Sequence, residues 1–272
     1  MNRYELLNDI KKMKQVMNLA LVAILSMTMM SCMSVNFNDN GVDKTPSQVA
    51  ATNQVTAMQP FDKVDIAGAF KIVYEQGTEH NVRIEATEQE LKEMTVYVKD
   101  NELRIRKAVA KPTVSFSNVK VYVSSPDLQK IELAGSGMFA ASNPVKSNRN
   151  LDVEIAGSGK VLLAAASCLD GDLQIAGSGD IEIGQLTVND IKTEIAGSGD
   201  INLGAMTCKK MNISIAGSGD VNCDNINADD VHTEIAGSGN VTLKGTVRNN
   251  TKEVAGSGKI NIIEATAPDK IQ

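Results

Sequence analysis

The second half of the chain alternates between apolar and polar positions with unusual persistence. Leu133, Ile155, Ile175, Ile195, Ile215, Ile235 and Val254 recur at one register. Two residues earlier stand Ile131, Val153, Leu173, Thr193, Ile213 and Thr233, a column that Lys252 breaks. Between the two lie Glu132, Glu154, Gln174, Glu194, Ser214, Glu234 and Glu253. Period-two alternation of this kind predicts strands with one buried face. A second run follows each of these, with Val161, Ile181, Ile201, Val221 and Val241 in one inward column, joined by Phe139 and Ile260 at its ends. Ala141, Leu163, Ile183, Leu203, Cys223, Leu243 and Ile262 form the next column. A weaker third strand carries Leu186, Met206 and Ile226, then Val188, Cys208 and Ala228.

The runs are punctuated by Ala-Gly-Ser-Gly, which begins at Ala134, Ala156, Ala176, Ala196, Ala216, Ala236 and Ala255. Successive starts are 22, 20, 20, 20, 20 and 19 residues apart. A fixed period near 20 signals a repeat array. Twenty residues with three short inward-facing strands leave no room for a helix. The fold predicted is therefore all-β, a β-solenoid with about 20 residues per coil, in which like side chains stack from coil to coil. Seven or eight coils at about 4.8 Å each make a rod of about 35 Å. The Gly-Ser-Gly corner needs backbone angles that glycine reaches cheaply. Ser158, Ser178, Ser198, Ser218 and Ser238 are expected to stack with hydroxyls in reach of neighbouring backbone. Replacing Gly197 or Gly199 should cost more than a surface change.

Residues 59–127 are strand-like but less regular and are read as an N-terminal β cap, with the regular coils over 128–264 and a polar tail over 265–272. Ile66-Ala67-Gly68-Ala69-Phe70 is a decayed copy of the corner in which Ala69 replaces Ser and the second Gly is lost. Alternating runs follow at Val82–Glu85, Thr95–Val98, Leu103–Arg106 and Val119–Val123, with Asp100-Asn101 as a hairpin turn and a short helix over Glu88–Met94. An atypical terminal unit suits a solenoid, whose end otherwise exposes core and unpaired strands.

Residues 1–31 read as a secretory signal peptide. Lys11, Lys12 and Lys14 precede an apolar run from Leu19 to Met30, which ends at Ser31-Cys32. The run is shorter than the roughly 20 residues a spanning helix needs. Met13 starts a more usual signal sequence than Met1 does. Cys32 after a small residue resembles a bacterial lipobox, which makes it the lipidation site, and the polar stretch over 32–58 reads as a flexible tether. Loss of residues 1–31 removes four basic and two acidic groups, leaving 23 basic against 31 acidic and a net charge of −8. That balance excludes a nucleic acid held by its phosphates and a polybasic membrane patch, so membrane attachment rests on acyl chains.

The candidate chemistry is sparse. Asp180, Asp200 and Asp220 follow successive corners, flanked in the column by Lys160 and Asn240. At about 5 Å apart they suit either a solvated column, a weak Ca²⁺ site or paired carboxylates for glycoside hydrolysis. The acidic column from Glu132 to Glu234, beside Lys192, His232 and Lys252, reads as a solvated face on which partners or a second copy can dock. Cys168 and Cys208 share a column two coils apart, about 9.6 Å by stacking, beyond disulfide reach. With Cys223 they are expected to be three buried free thiols. His80 and His232 are isolated, and no Cys or His spacing suggests zinc. The chain has no Trp, and Phe139 is the one aromatic of the repeats, which counts against a sugar-binding platform there. Tyr74, Tyr97 and Tyr122 leave that option to the cap.

Three stretches together resemble a known family. They are Phe61-Asp62-Lys63-Val64-Asp65-Ile66-Ala67-Gly68-Ala69-Phe70, the run Val119-Lys120-Val121-Tyr122-Val123-Ser124-Ser125-Pro126-Asp127-Leu128, and the Ile-Ala-Gly-Ser-Gly-Asp coils. They are similar to the head-GIN-domain family of Bacteroidetes auto-transporter adhesins over residues 59 to 263. The resemblance implies a right-handed parallel β-helix, of a kind often carried on exported lipoproteins, and carries over no catalytic residues. The function expected is that of a non-catalytic cell-envelope lipoprotein with a structural, adhesive or interaction role. It would sit at the outer membrane, facing the periplasm or the surface, with a protein or glycan partner and no cofactor. The alternative is a polysaccharide-binding or polysaccharide-processing protein that uses the Asp column. The even spacing of the coils leaves no long loop to build a cleft, which favours the first.

Overall fold

The computed structural model describes residues 55–108 and 112–264. The expected signal peptide, Met1 and Met13, Cys32, most of the expected tether and the 265–272 tail lie outside the described residues. Described residues form a β-solenoid of about 7 turns with about 20 residues per turn. Ile175 is paired in parallel with Ile155 on one side and Ile195 on the other, so residues one period apart lie directly over one another. The same register carries Ile181 onto Ile201 and Leu186 onto Met206. The inward columns are buried through the middle of the rod, a core that no single coil could close alone.

The short strands of the early coils fuse towards the C-terminus. One coil comprises Lys160–Leu163, Ala166–Ser167 and Asp170–Gly177. Later coils run unbroken over Asp200–Gly217, Val221–Gly237 and Asn240–Gly256. A further inward column appears that alternation did not single out, Ile191, Met211 and Val231, all buried. Gly171 before it and Asn250 after it interrupt its apolar character.

The two glycines of each corner do different work. The first has positive φ, +140° at Gly197 and +139° at Gly217, where an L side chain is strained. The second is not in that region, so the expectation that both serve the angle is corrected. A Cβ on Gly199 would collide with the Gly179 carbonyl of the coil before it. The serine between them also acts differently than expected. Its backbone N–H bonds the preceding coil, as in Ser198 to the Gly177 oxygen at 2.8 Å, while the side chains of Ser178, Ser198 and Ser218 are exposed.

The N-terminal part is threaded into the stack rather than laid on its end. Lys63–Ala67 lies in parallel between Glu102–Lys107 and Lys130–Gly135. Lys71–Gln76 lies in the same way beside Lys120–Ser125 and Met138–Ala141. The decayed corner is thus a true coil: Ile66 and Ala67 register with Leu133 and Ala134, and Gly68 has φ +148°. Phe70 can replace the second glycine because the next coil outward has no tight corner. Its place is taken by the loop that carries Phe116, whose ring lies 5.0 Å from that of Phe70.

Beyond that coil the parallel order stops. Met94–Lys99 pairs antiparallel with Glu102–Lys107 through a turn at Asp100 and Asn101, φ 56° and 59°. Such paired positive φ values define the hairpin turn that sequence predicts. Asn81–Glu85 pairs antiparallel with Lys120–Ser125, and Thr56–Ala57 with Asn81 and Val82, so the sheet begins a few residues before Phe61. The predicted helix spans Glu88–Lys92 and is closed by a capping box between Thr87 and Glu90.

Candidate binding surface

The Asp column turns inward on the fold's own backbone. Asp200 Oδ1 accepts the Asp220 N–H at 2.9 Å, and Asp220 Oδ1 accepts the Asn240 N–H at 2.7 Å. In earlier coils the same amide goes to a glycine carbonyl, as from Asp180 to Gly159 at 3.0 Å. Two of the three carboxylates therefore act as staples between coils. Lys160, at the head of the column, forms its ion pair with Glu182. Among the described residues no group of three or more His, Cys, Asp or Glu side chains is arranged to hold a metal ion.

The acidic column is a lattice of mixed charge. Lys130 bridges Glu132 at 3.2 Å and Glu154 at 3.0 Å, and Lys192 meets Glu194 at 2.9 Å. His232 is tied to Glu234 at 2.7 Å and to Thr251 at 2.6 Å. Asp65, nearly buried, is paired with Arg106. Burial raises the carboxyls of Asp152 and Asp172 above the usual range, with Glu154 adding to the effect at Asp152. Asp172 Oδ2 accepts from Gln174 Nε2 at 2.9 Å, while its buried Oδ1 has no partner.

All three described cysteines are free. Cys208 and Cys223 are buried as expected; Cys168 is only half-buried, a correction that follows from its place at the edge of the core. Burial pushes the thiols up, to about 11 at Cys168, about 12 at Cys208 and about 11 at Cys223. Tyrosines of the cap offer little platform. Tyr74 is buried with its hydroxyl on Ser125, and the ring of Tyr122 is covered by the Arg83 guanidinium at 3.7 Å.

One concave feature along the rod was not singled out by sequence. A groove of about 510 Å³ runs along the rod where the second strand of each coil bends into the third. Five successive coils line it. Ala164, Gly184 and Gly204 form the bend, and a Cβ on Gly204 would collide with the Gly184 carbonyl. The wall is the outward column Ala140, Leu162, Glu182, Asn202 and Asn222. It is apolar near the cap and amide-rich beyond, where Asn222 Nδ2 donates to Asn202 Oδ1 at 3.1 Å. Val73, 38% exposed, continues this outward column beyond Ala140. The signal available in sequence was that small residues, Ala164, Gly184 and Gly204, recur just past three successive second strands.

Fold and surface together define a class: a β-solenoid that presents long repetitive faces rather than a cleft. The chain belongs to the family described as "Putative auto-transporter adhesin, head GIN domain", whose model matches residues 60–223 and 206–269. A crystal structure of an adhesin-type protein from Bacteroides fragilis is similar at 24% identity and TM-score 0.70, over 82% of this chain and all of that one. One from Parabacteroides merdae, described in the same terms, is similar at 21% identity and TM-score 0.64, over 82% of this chain and 98% of that one. A protein from Parabacteroides distasonis described as lipid-binding is similar at 22% identity and TM-score 0.64, over 81% of this chain and 98% of that one. At these identities the likeness concerns the fold. No curated protein matches the chain.

Proposed function

We propose that this chain is a non-catalytic cell-envelope lipoprotein, anchored through Cys32, that works as an adhesive or interaction scaffold. The observation that carries the reading is the groove shared by five successive coils. A binding surface built from repeated coils is long and uninterrupted, whereas catalytic groups concentrate on loops that converge on a cleft. The family supports an adhesive role. The leader before Cys32 supports export and acylation, and with acyl chains as the anchor the net charge of the mature chain needs no basic patch. A protein or glycan that lies along the rod fits the groove better than a compact small molecule does.

Two measurements test the two halves of the proposal. Radiolabelled palmitate should enter the full chain and be lost in Cys32→Ala; incorporation that is absent or unchanged by the substitution overturns the anchor. Beads coated with the chain from residue 33 should adhere to mucin-coated or envelope-extract-coated surfaces better than bare beads. Ala140→Arg with Leu162→Glu, both on the groove wall, should weaken that adhesion severalfold. Adhesion no better than that of bare beads overturns the adhesive role, and adhesion unaffected by the double variant removes the groove from it.

A further inference from the structure

The two ends of the rod are finished in different ways. At the N-terminal end the antiparallel strand Met94–Lys99 closes the stack, and Met94, Val96 and Val98 are buried. At the other end the last coil lies open. Val254 is 37% exposed, and Val247, Ile260 and Ile262 are only partly buried. Asn240–Gly256 is paired with the coil before it and, over Asn240–Gly245, with Lys259–Glu264. Its stretch from Thr246 to Gly256 has no described strand on its outer side.

An open edge above a partly exposed core is a template for a further strand. In this coil two inward columns change chemistry. Asn250 stands where Val231, Met211 and Ile191 stand in the coils before it, and Lys252 stands where Thr233, Ile213 and Thr193 do. Both replacements are exposed. Nothing in the repeat requires them, since the neighbouring Val254 keeps the apolar register. A charge that points inward at an edge strand is a known way to make pairing costly.

We propose that Asn250 and Lys252 guard the C-terminal edge against pairing with a second copy of this chain. Tail-to-tail docking must be antiparallel about a two-fold axis. Residues that face the same side then oppose one another: an axis at Thr251, the centre of this stretch, brings Lys252 against Asn250, and an axis at Lys252 brings Lys252 against Lys252, a destabilising like-charge pair. A register slip of one residue turns the inward set outward, and a slip of two still leaves the Lys252 charge on the inward face of the shared edge. Approach by the other end of a second copy gains little, because its core is already covered.

The test is the mass of the chain from residue 33 to 272 by sedimentation and light scattering over a wide concentration range. The natural chain should hold the mass of one chain. Lys252→Ile with Asn250→Val should shift to the mass of two with unchanged circular dichroism, and Lys252→Gln should stay at one. If the double variant precipitates, Lys252→Ile alone decides by the same criterion. A single-chain mass for Lys252→Ile overturns the proposal, as does a natural chain whose dimer is lost in Ile262→Asp.

Discussion

The carboxylate of Asp200 holds the backbone amide of Asp220, one coil further along, at 2.9 Å. That contact explains why Asp follows the corner. Where the sharp turn leaves an amide away from the preceding carbonyl, a short side chain that accepts hydrogen bonds reaches it instead. Asp220 Oδ1 repeats the contact, accepting from the backbone N–H and the side-chain Nδ2 of Asn240 at 2.7 and 3.0 Å. Removing the acceptor in Asp220→Ala should cost about 1–3 kcal/mol, or several degrees of melting temperature at about 2–4 °C per kcal/mol. Asp220→Asn, which keeps an acceptor, should lose less. Calorimetric titration of the natural chain with millimolar Ca²⁺ should give no heat, since two of the three carboxylates are already engaged with backbone amides.

The corner glycines separate strain from space. Gly197→Ala meets both a positive φ and the Gly177 carbonyl, whereas Gly199→Val meets the Gly179 carbonyl and the Ile175 side chain. Both should lower the melting temperature by several degrees. Ser198→Ala, between them, keeps its backbone bond to Gly177 and should stay within about 0.5 kcal/mol of the natural chain. Three thermal melts decide the matter; equal losses at all three positions contradict the division of labour.

Alternation and a fixed period made the coils legible because both follow from one constraint, that each strand buries one face against the same core. The stacking of Ile175 on Ile195 was visible for that reason. The cap was harder. Its strands were apparent one by one, but the insertion of Lys63–Ala67 between Glu102–Lys107 and Lys130–Gly135 depends on pairings between residues far apart in sequence, which local pattern does not encode. Phe70 is instructive here, since it looked like decay of the repeat and is instead what the corner becomes when no coil presses on it. The groove was missed because its floor is made by small residues at a bend, and smallness reads as a turn.

Cysteine reactivity should rank by access. Cys168 is half-buried while Cys208 and Cys223 are buried, and all three thiols are raised to between about 11 and 12. Thiolate, the reactive form, is scarce at neutral pH for such groups. Alkylation of the native chain from residue 33 should be slow at Cys168 and slower still at the other two, and all three should react once denatured. Mass mapping that found Cys208 or Cys223 modified before Cys168 would contradict the packing of the core around them.

Asp172 supplies a pH signature. Burial raises its carboxyl above the ordinary value of 3.8, and its Oδ1 lacks a partner. A raised folded-state value means the native state holds its proton more tightly than the unfolded one. The group therefore favours folding most below pH 3.8, and that contribution is lost as pH rises through the raised value. At neutral pH the native state carries the cost of a buried charge that Lys192 and Gln174 only partly offset. Asp172→Asn removes the charge and keeps the shape, so it should raise the melting temperature at pH 7. The gain should shrink as the pH falls towards 3.8, because the natural side chain is then neutral as well. Paired melts of the two chains at pH 7 and near pH 4 measure the difference. A gain of equal size at both would assign it to packing, and a loss at pH 7 would mean that the carboxylate is held by contacts stronger than the single bond to Gln174.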